Sequence, residues 1–162
     1  MVNKILIALL IILLIIQFFH PVRNIAQGEQ PNHISKIYAV PSAVKNILEK
    51  ACNDCHSNNT VYPWYSKVQP VDWWLTDHIN EGKRELNFDE FTTYNLRRQY
   101  HKLDEIMKQV RDEEMPLNSY TWIHTDARLS SEQKNSIINW AGSIRDEMKN
   151  KYPIDSLERL KK

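Results

Sequence analysis

The five residues Cys52-Asn53-Asp54-Cys55-His56 constrain this chain more than any other stretch of its sequence. They form a CxxCH pattern, which is the pattern for covalent attachment of a haem group. Two thiols at this spacing can form thioethers with the two vinyl groups along one edge of a porphyrin, and the adjacent imidazole can then ligate the iron. We therefore expect Cys52 and Cys55 to hold one haem c, and His56 to be the proximal ligand of its iron.

Other uses of two cysteines at this spacing need features that the rest of the sequence does not supply. A thioredoxin-like redox pair would follow a βαβ pattern, and no such pattern precedes Cys52. A zinc site would need a second pair of ligands, whereas the remaining histidines are scattered along the chain. A disulfide between the two cysteines suits an oxidising compartment, but it leaves the adjacent His56 unexplained.

The composition excludes several further classes of function. Among 162 residues, 21 Lys and Arg face 20 Asp and Glu, for a net charge of +1. Nucleic-acid binding generally needs a basic surplus, so we expect no nucleic-acid partner. With 3 glycines in all, the chain has no glycine-rich phosphate loop.

An apolar run from Ile5 to Ile16 dominates the N-terminus, with Lys4 before it and Phe18-Phe19 near its end. This run predicts that residues 1–19 form an uncleaved signal anchor, which is a single-pass transmembrane segment. Its length is short for that role, because a helix from Ile5 to Phe19 covers only about 22 Å of a hydrocarbon core about 30 Å thick. Lys4 favours an inside N-terminus. We therefore expect an inner (cytoplasmic) membrane protein whose haem domain lies on the periplasmic, extracytoplasmic side, where haem is attached to such motifs.

The remaining chain divides by composition into three parts. Residues 20–40 are polar, contain Pro21, Gly28 and Pro31, and show no periodicity, which predicts a flexible tether. Residues 41–150 are predicted to form the haem-binding domain. Residues 151–162 are predicted to form a short charged tail.

Helical periodicity dominates residues 41–150. One apolar stripe runs directly into Cys52, and a capping box at Ser130 and Gln133 predicts the start of a C-terminal helix. Two more helices are expected between them, one ending at Gly82 and one over residues 96–110. A helix leading into CxxCH and a late helix that could cross it resemble a class I cytochrome c. That family is all-α, wraps one haem, and takes a methionine as the second axial ligand.

Met115 is the expected second iron ligand. The resemblance to cytochromes c implies a distal methionine in a loop beside a proline, shortly before the last helix. Pro116 also disfavours helix at Met115, which holds the methionine in an extended loop. Met107 instead lies on an apolar helical stripe and is expected in the core. Two histidines, His78 and His124, remain alternatives for the distal position.

Aromatic residues concentrate between positions 62 and 122. Their rings suit a haem wall because they are large and apolar, yet carry OH or NH groups. We expect Trp64 or Tyr65, together with Arg97 or Arg98, to contact the haem propionates.

Several segments resemble a more specific group, the single-haem "haem-binding domain" family of envelope proteins. They are CHSNNT after Cys52, then YPWY, PVDWWLTDHINEG, LNF and the late EEMP. The resemblance runs from about Val40 to Met148. It implies one covalent c-type haem, with Cys52 and Cys55 as thioether sites and His56 as an axial ligand.

The expected function is electron transfer by a membrane-tethered monohaem c-type cytochrome that exchanges electrons with redox partner proteins of the cell envelope. Ligation by His56 and Met115 leaves no open iron position, so the chain is not expected to be an enzyme. Peroxidases of the c-type class use two haems, whereas this chain has one CxxCH. The alternative is a haem-based gas or redox sensor, or an accessory haem domain, with a displaceable distal ligand.

Overall fold

The computed structural model describes residues 2–159, and this part of the chain is all-helical without a β-strand, which confirms the predicted all-α class. The α-helices are α1 (Val2–Ile16), α2 (Ser42–Ala51), α3 (Asn53–His56), α4 (Val71–Glu85), α5 (Leu96–Arg111), α6 (Asn118–Thr121), α7 (Ser131–Lys151) and α8 (Ile154–Leu157). Short 3₁₀ helices cover Ile34–Lys36, Trp64–Lys67, Phe88–Thr93 and Thr125–Ala127.

The core lies where α5 packs against α7, with α2 crossing α7 and α8 covering one end. Apolar side chains at helical spacing on α2, α5 and α7 bury one face of each helix. The predicted capping box opens α7: the Gln133 amide donates to Ser130 Oγ at 3.2 Å, and the Ser130 amide donates to Gln133 Oε1 at 2.8 Å. Met107 packs against this core, as its position on the stripe predicts.

Helix α4 runs three residues past Gly82, where the sequence suggested its end. Glycine weakens a helix interior, so a stop at this position was a reasonable expectation. Gly82 does not end the helix. Its lack of a side chain instead allows close contact between α4 and the segment that contains Cys55. The chain leaves the helix only at Leu86, which is extended.

Helix α1 is apolar from Ile5 to Ile16, after Asn3 and Lys4 in its first turn, and none of its side chains is buried. It has 15 residues, and so covers about 22 Å against the ~30 Å of a hydrocarbon core. No helix within residues 2–159 combines the length and apolar character needed to cross a membrane, and the predicted transmembrane anchor is not supported.

Residues 20–40 differ from the expected flexible tether. Ile34 is completely buried in the core, and the Tyr38 hydroxyl donates to Gln99 Oε1 at 3.0 Å. The Ala26 amide donates to the Asn58 carbonyl at 3.0 Å. These contacts hold the segment against the helical domain. The polar composition that predicted a tether reflects side chains that bind the domain through hydrogen bonds.

The charged tail predicted for residues 151–162 lies partly outside the described residues, because 160–162 are not described. Within the described part, α7 extends through Lys151, and α8 follows directly after Pro153. Leu157 on α8 is almost fully buried. This short helix therefore belongs to the core.

Candidate functional site

Cys52, Cys55 and His56 lie together in the wall of one cavity of about 350 Å³, here called the central cavity. Helix α2 ends just before Cys52, whose carbonyl accepts from the Cys55 amide at 3.1 Å and the His56 amide at 2.9 Å. This single turn of helix brings both thiols and the imidazole to the same wall. Neither cysteine is in a disulfide.

The two thiols are held in their neutral form. Burial raises the pKa of Cys52 to about 12, and the neighbouring Cys55 adds to the effect. Burial, together with the charge of Asp54, raises the pKa of Cys55 to about 11. Both side chains are therefore thiols near neutral pH, and neither has the lowered pKa of a redox-active CxxC pair.

The His56 ring is fixed in one tautomer by the end of α4. Its Nδ1 lies 3.0 Å from the Gly82 carbonyl and 3.0 Å from the Leu86 carbonyl. Carbonyl oxygens only accept, so Nδ1 carries the proton and Nε2 keeps its lone pair. Burial lowers the pKa of His56, which favours the neutral ring. A neutral imidazole whose second nitrogen donates to a carbonyl is the usual state of a metal-binding histidine.

Gly82 lets α4 approach the CxxCH segment closely. A Cβ atom at this position would lie 2.7 Å from the Cys55 carbonyl oxygen and 3.0 Å from Cys55 Cβ. The Phe88 ring, almost fully buried, stands edge-on to His56 with centroids 6.5 Å apart. The backbone contact at Gly82 and the ring of Phe88 together set the position of the imidazole.

Met115 lines the same cavity, on the loop between α5 and α6. Its amide and that of Glu114 both donate to the Gln109 carbonyl, at 3.1 and 3.0 Å. Glu113 has a φ of 61°, which turns the chain sharply after α5. The structure therefore brings the predicted methionine to the cavity of Cys52, Cys55 and His56.

A model of the haem-binding domain family matches residues 11–143, most of the chain. The chain belongs to the haem-binding domain family. Comparison with curated proteins and with solved structures gave no match.

The central cavity fits a haem by the chemistry of its lining. Two neutral thiols and an imidazole with a free Nε2 lone pair occupy one wall. The remaining lining is mainly apolar, as expected for a pocket that holds a flat macrocycle. Besides Met115, its apolar members are Leu48, Ala51, Phe88, Ile106, Val110, Pro116, Leu117 and Ile137.

The two rival histidines occupy different places. His78 lines the cavity, with Nδ1 2.9 Å from the Trp74 carbonyl, so its Nε2 also keeps a lone pair. His124 does not line it: its Nε2 lies 2.6 Å from the Tyr65 hydroxyl, and its ring stacks on Tyr120 with centroids 4.3 Å apart. His78 therefore stays an alternative on structural grounds, whereas His124 already has a partner.

The four residues expected to contact haem propionates do not line the cavity. Trp64 is 78% exposed, and Tyr65 contacts His124 instead. Arg97 donates to the Asp155 carbonyl at 2.7 Å, and Arg98 lies over the Tyr94 ring at 4.1 Å. The prediction rested on residue type, and at the start of α5 Arg97 instead contacts α8 while Arg98 contacts Tyr94.

Several polar residues of the lining were missed by sequence reasoning. Glu81 and Glu85 lie on α4 at three and seven residues from His78, so helical spacing could have placed them on the same face. Tyr120 donates to Asp54 Oδ2 at 2.8 Å. That contact joins residues 66 positions apart in the sequence, so no local pattern predicts it.

Proposed function

We propose that this protein is a monohaem c-type cytochrome that carries electrons, with haem bound to Cys52 and Cys55 and iron held by His56 and Met115. One observation carries the proposal: both thiols, the imidazole and the methionine line a single cavity. A haem supplies reversible one-electron chemistry at its iron.

The residues of the cavity would each have a defined task. Cys52 and Cys55 would hold the group covalently, each thiol adding across one vinyl group. The two carbonyls at His56 Nδ1 keep its Nε2 available and its ring orientation fixed. Met115 would supply a thioether sulfur, which raises the reduction potential relative to harder ligands. The apolar walls exclude water from the ligands.

A haem-based sensor is the second candidate, favoured by one observation. Met115 lies on a loop outside the helices, while His78 lines the same cavity on α4. A ligand on a loop is easier to displace than one on a helix, so a small gas could replace Met115 at the iron.

Visible and near-infrared absorption of the purified ferric protein separates these candidates. We expect a sulfur-to-iron charge-transfer band that is lost in Met115→Leu and kept in Met107→Leu, the matched control whose methionine packs against the core. Retention of the band in Met115→Leu would refute Met115 ligation. Rapid carbon monoxide binding by the unaltered ferrous protein would favour the sensor.

Covalent attachment is tested by the mass of the unfolded chain. We expect the polypeptide to retain one haem after denaturation, and Cys52→Ala with Cys55→Ala to release it. A colourless chain with two free thiols would refute the whole proposal.

We further propose that the protein works outside the cytoplasmic membrane with redox partner proteins of the envelope. The support is the CxxCH segment, because haem is attached to such motifs in that compartment, and the apolar N-terminal run with Lys4 before it. Electron transfer needs only a small contact surface with each partner. Localisation of the haem-bearing chain in fractionated cells tests this part.

A further inference from the structure

Residues 17–23 are joined to the segment that leads into α4 and to its first turn by a set of hydrogen bonds, most of them partly buried, here called the clasp. The Gln69 amide donates to Gln17 Oε1 at 2.9 Å, and Gln17 Nε2 donates back to the Gln69 carbonyl at 3.2 Å. Gln69 Nε2 donates to the Phe19 carbonyl at 2.7 Å, and Trp73 Nε1 donates to the same oxygen at 2.9 Å. The end of α1 is therefore bonded directly to the helical domain.

A fully buried carboxylate completes the clasp. Asp72 has no exposed surface, and its Oδ2 lies 2.8 Å from His20 Nδ1 while its Oδ1 lies 3.1 Å from Arg23 Nη1. Arg23 Nη2 also donates to the Ser66 carbonyl at 2.8 Å. Without residues 20–23 the Asp72 carboxylate would lose both basic partners and keep only Gln69 Nε2, which donates to Oδ2 at 3.3 Å, and a buried carboxylate without a cation is strongly unfavourable. The clasp therefore keeps this segment in a fixed position.

Exposed apolar and aromatic side chains surround the point where α1 meets the domain. This collar consists of Phe18, Phe19, Val68, Trp73 and Trp74, and Phe18 is 85% exposed. Helix α1 itself exposes apolar side chains on every face. A protein partner would cover one face of a helix, whereas lipid covers its whole circumference. Tryptophan also favours the boundary between lipid and water, because its ring is apolar and its N–H is polar.

We propose that α1 and the collar bind a lipid bilayer, and that the clasp holds the central cavity in one orientation to that surface. Asp72 lies in the first turn of α4, and Gly82 contacts Cys55 near the other end of the same helix. One rigid helix therefore connects the lipid-binding element to the CxxCH wall. The fixed orientation of the cavity rests on the proposed haem function, whereas the lipid contact of α1 and the collar is independent of that function.

Quenching of tryptophan fluorescence by phosphatidylcholine vesicles with brominated acyl chains tests the lipid contact. We expect the full chain to be quenched, and the double variant Trp73→Phe, Trp74→Phe to lose most of that quenching. The matched control is Trp64→Phe, Trp122→Phe, which removes two exposed tryptophans outside the collar and should keep it. Equal losses in both variants, no quenching, or a dimer that protects α1 would overturn the proposal.

Two measurements on Asp72→Asn test the clasp. The control is Asp104→Asn. Asp104 is also paired with an arginine, its Oδ1 lying 2.6 Å from Arg145 Nη1, but its side chain is half exposed. We expect the amides of Asn24 and Ala26 to exchange hydrogen about tenfold faster in Asp72→Asn and at an unchanged rate in the control. Unchanged exchange in Asp72→Asn would overturn the fixed clasp.

Linear dichroism of haem absorption in oriented lipid multilayers tests the fixed orientation. We expect a clear dichroism that falls in Asp72→Asn, because a loosened joint averages the haem direction. An isotropic signal from the unaltered protein would overturn the fixed orientation. Absence of any haem absorption would instead refute the proposed function, while vesicle quenching would still report lipid contact by itself.

Discussion

Substituting Gly82 by alanine tests whether the close contact between α4 and the CxxCH segment sets the haem site. The new methyl group would lie 2.7 Å from the Cys55 carbonyl oxygen and 3.0 Å from Cys55 Cβ. The carbonyl oxygen belongs to the backbone and the Cβ atom is bonded directly to it, so neither can move aside as the end of a flexible side chain could. Relief requires α4 and α3 to separate, and the His56 bond to the Gly82 carbonyl lengthens with them.

The size of the effect follows from opposing contributions. Alanine is favoured over glycine in a helix interior by about 1 kcal/mol. Forcing an extra methyl into a packed contact costs about 1–3 kcal/mol. Weakening one buried hydrogen bond at His56 costs about 1 kcal/mol more. We therefore expect the free energy of unfolding to fall by about 1–3 kcal/mol, a decrease in Tm of several degrees.

Gly142→Ala supplies the control within the same chain. Its Cβ would meet Met107 Sδ at 3.6 Å, an ordinary contact, so the helix preference acts alone and stability rises by up to about 1 kcal/mol. Thermal unfolding followed by circular dichroism, with haem content by absorbance, measures both variants. If Gly82→Ala matched Gly142→Ala in Tm and haem content, the close contact would have no role in the site.

Three further changes test other parts of the structure. Ser130→Ala removes the side-chain acceptor at the start of α7 and should lower the free energy of unfolding by about 1 kcal/mol in urea titration; an unchanged midpoint would contradict the cap. Phe88→Ala leaves a cavity beside His56 and should cost about 3–5 kcal/mol and reduce haem content, whereas a fully loaded protein would show that the ring does not support the imidazole. The His33 ring accepts from the Ser35 amide, and burial lowers the pKa of His33 below 6.5 in the folded protein. As the pH falls, His33 is therefore protonated in the unfolded chain before it is protonated in the folded one. Stability should therefore decline as pH falls below about 6.5, and this decline should be smaller in His33→Asn; identical pH profiles of the two proteins would contradict it.

Local patterns explain why part of the site could be predicted. The CxxCH spacing fixes which residues share one helical turn, so Cys52, Cys55 and His56 had to lie on one wall. Pro116 restricts the backbone at Met115, and the structure places that methionine in the loop at the central cavity. The all-α class followed in the same way, from periodicity within each helix.

Contacts between distant residues explain why other parts could not be predicted. The polar segment 20–40 resembles a tether because its partners, such as Asp72 and Gln99, lie far along the chain. Trp64 and Arg97 have the residue types of propionate contacts, but neither lines the central cavity: Trp64 is exposed, and Arg97 donates to the Asp155 carbonyl. Composition shows what a side chain can bind, whereas tertiary packing decides what it meets.

Gly82 shows how a local rule fails for a tertiary reason. Taken alone, it predicts the end of α4; in the structure it permits the contact that holds Cys55 and accepts the His56 hydrogen bond. Asp72 lies ten residues earlier, about 15 Å along the same helix, where it holds His20 and Arg23. Because a rigid helix transmits a tilt or rotation along its length, we expect a change at the Asp72 end to shift the Gly82 carbonyl relative to His56. One helix, α4, thus contacts both the segment that follows α1 and the imidazole of His56.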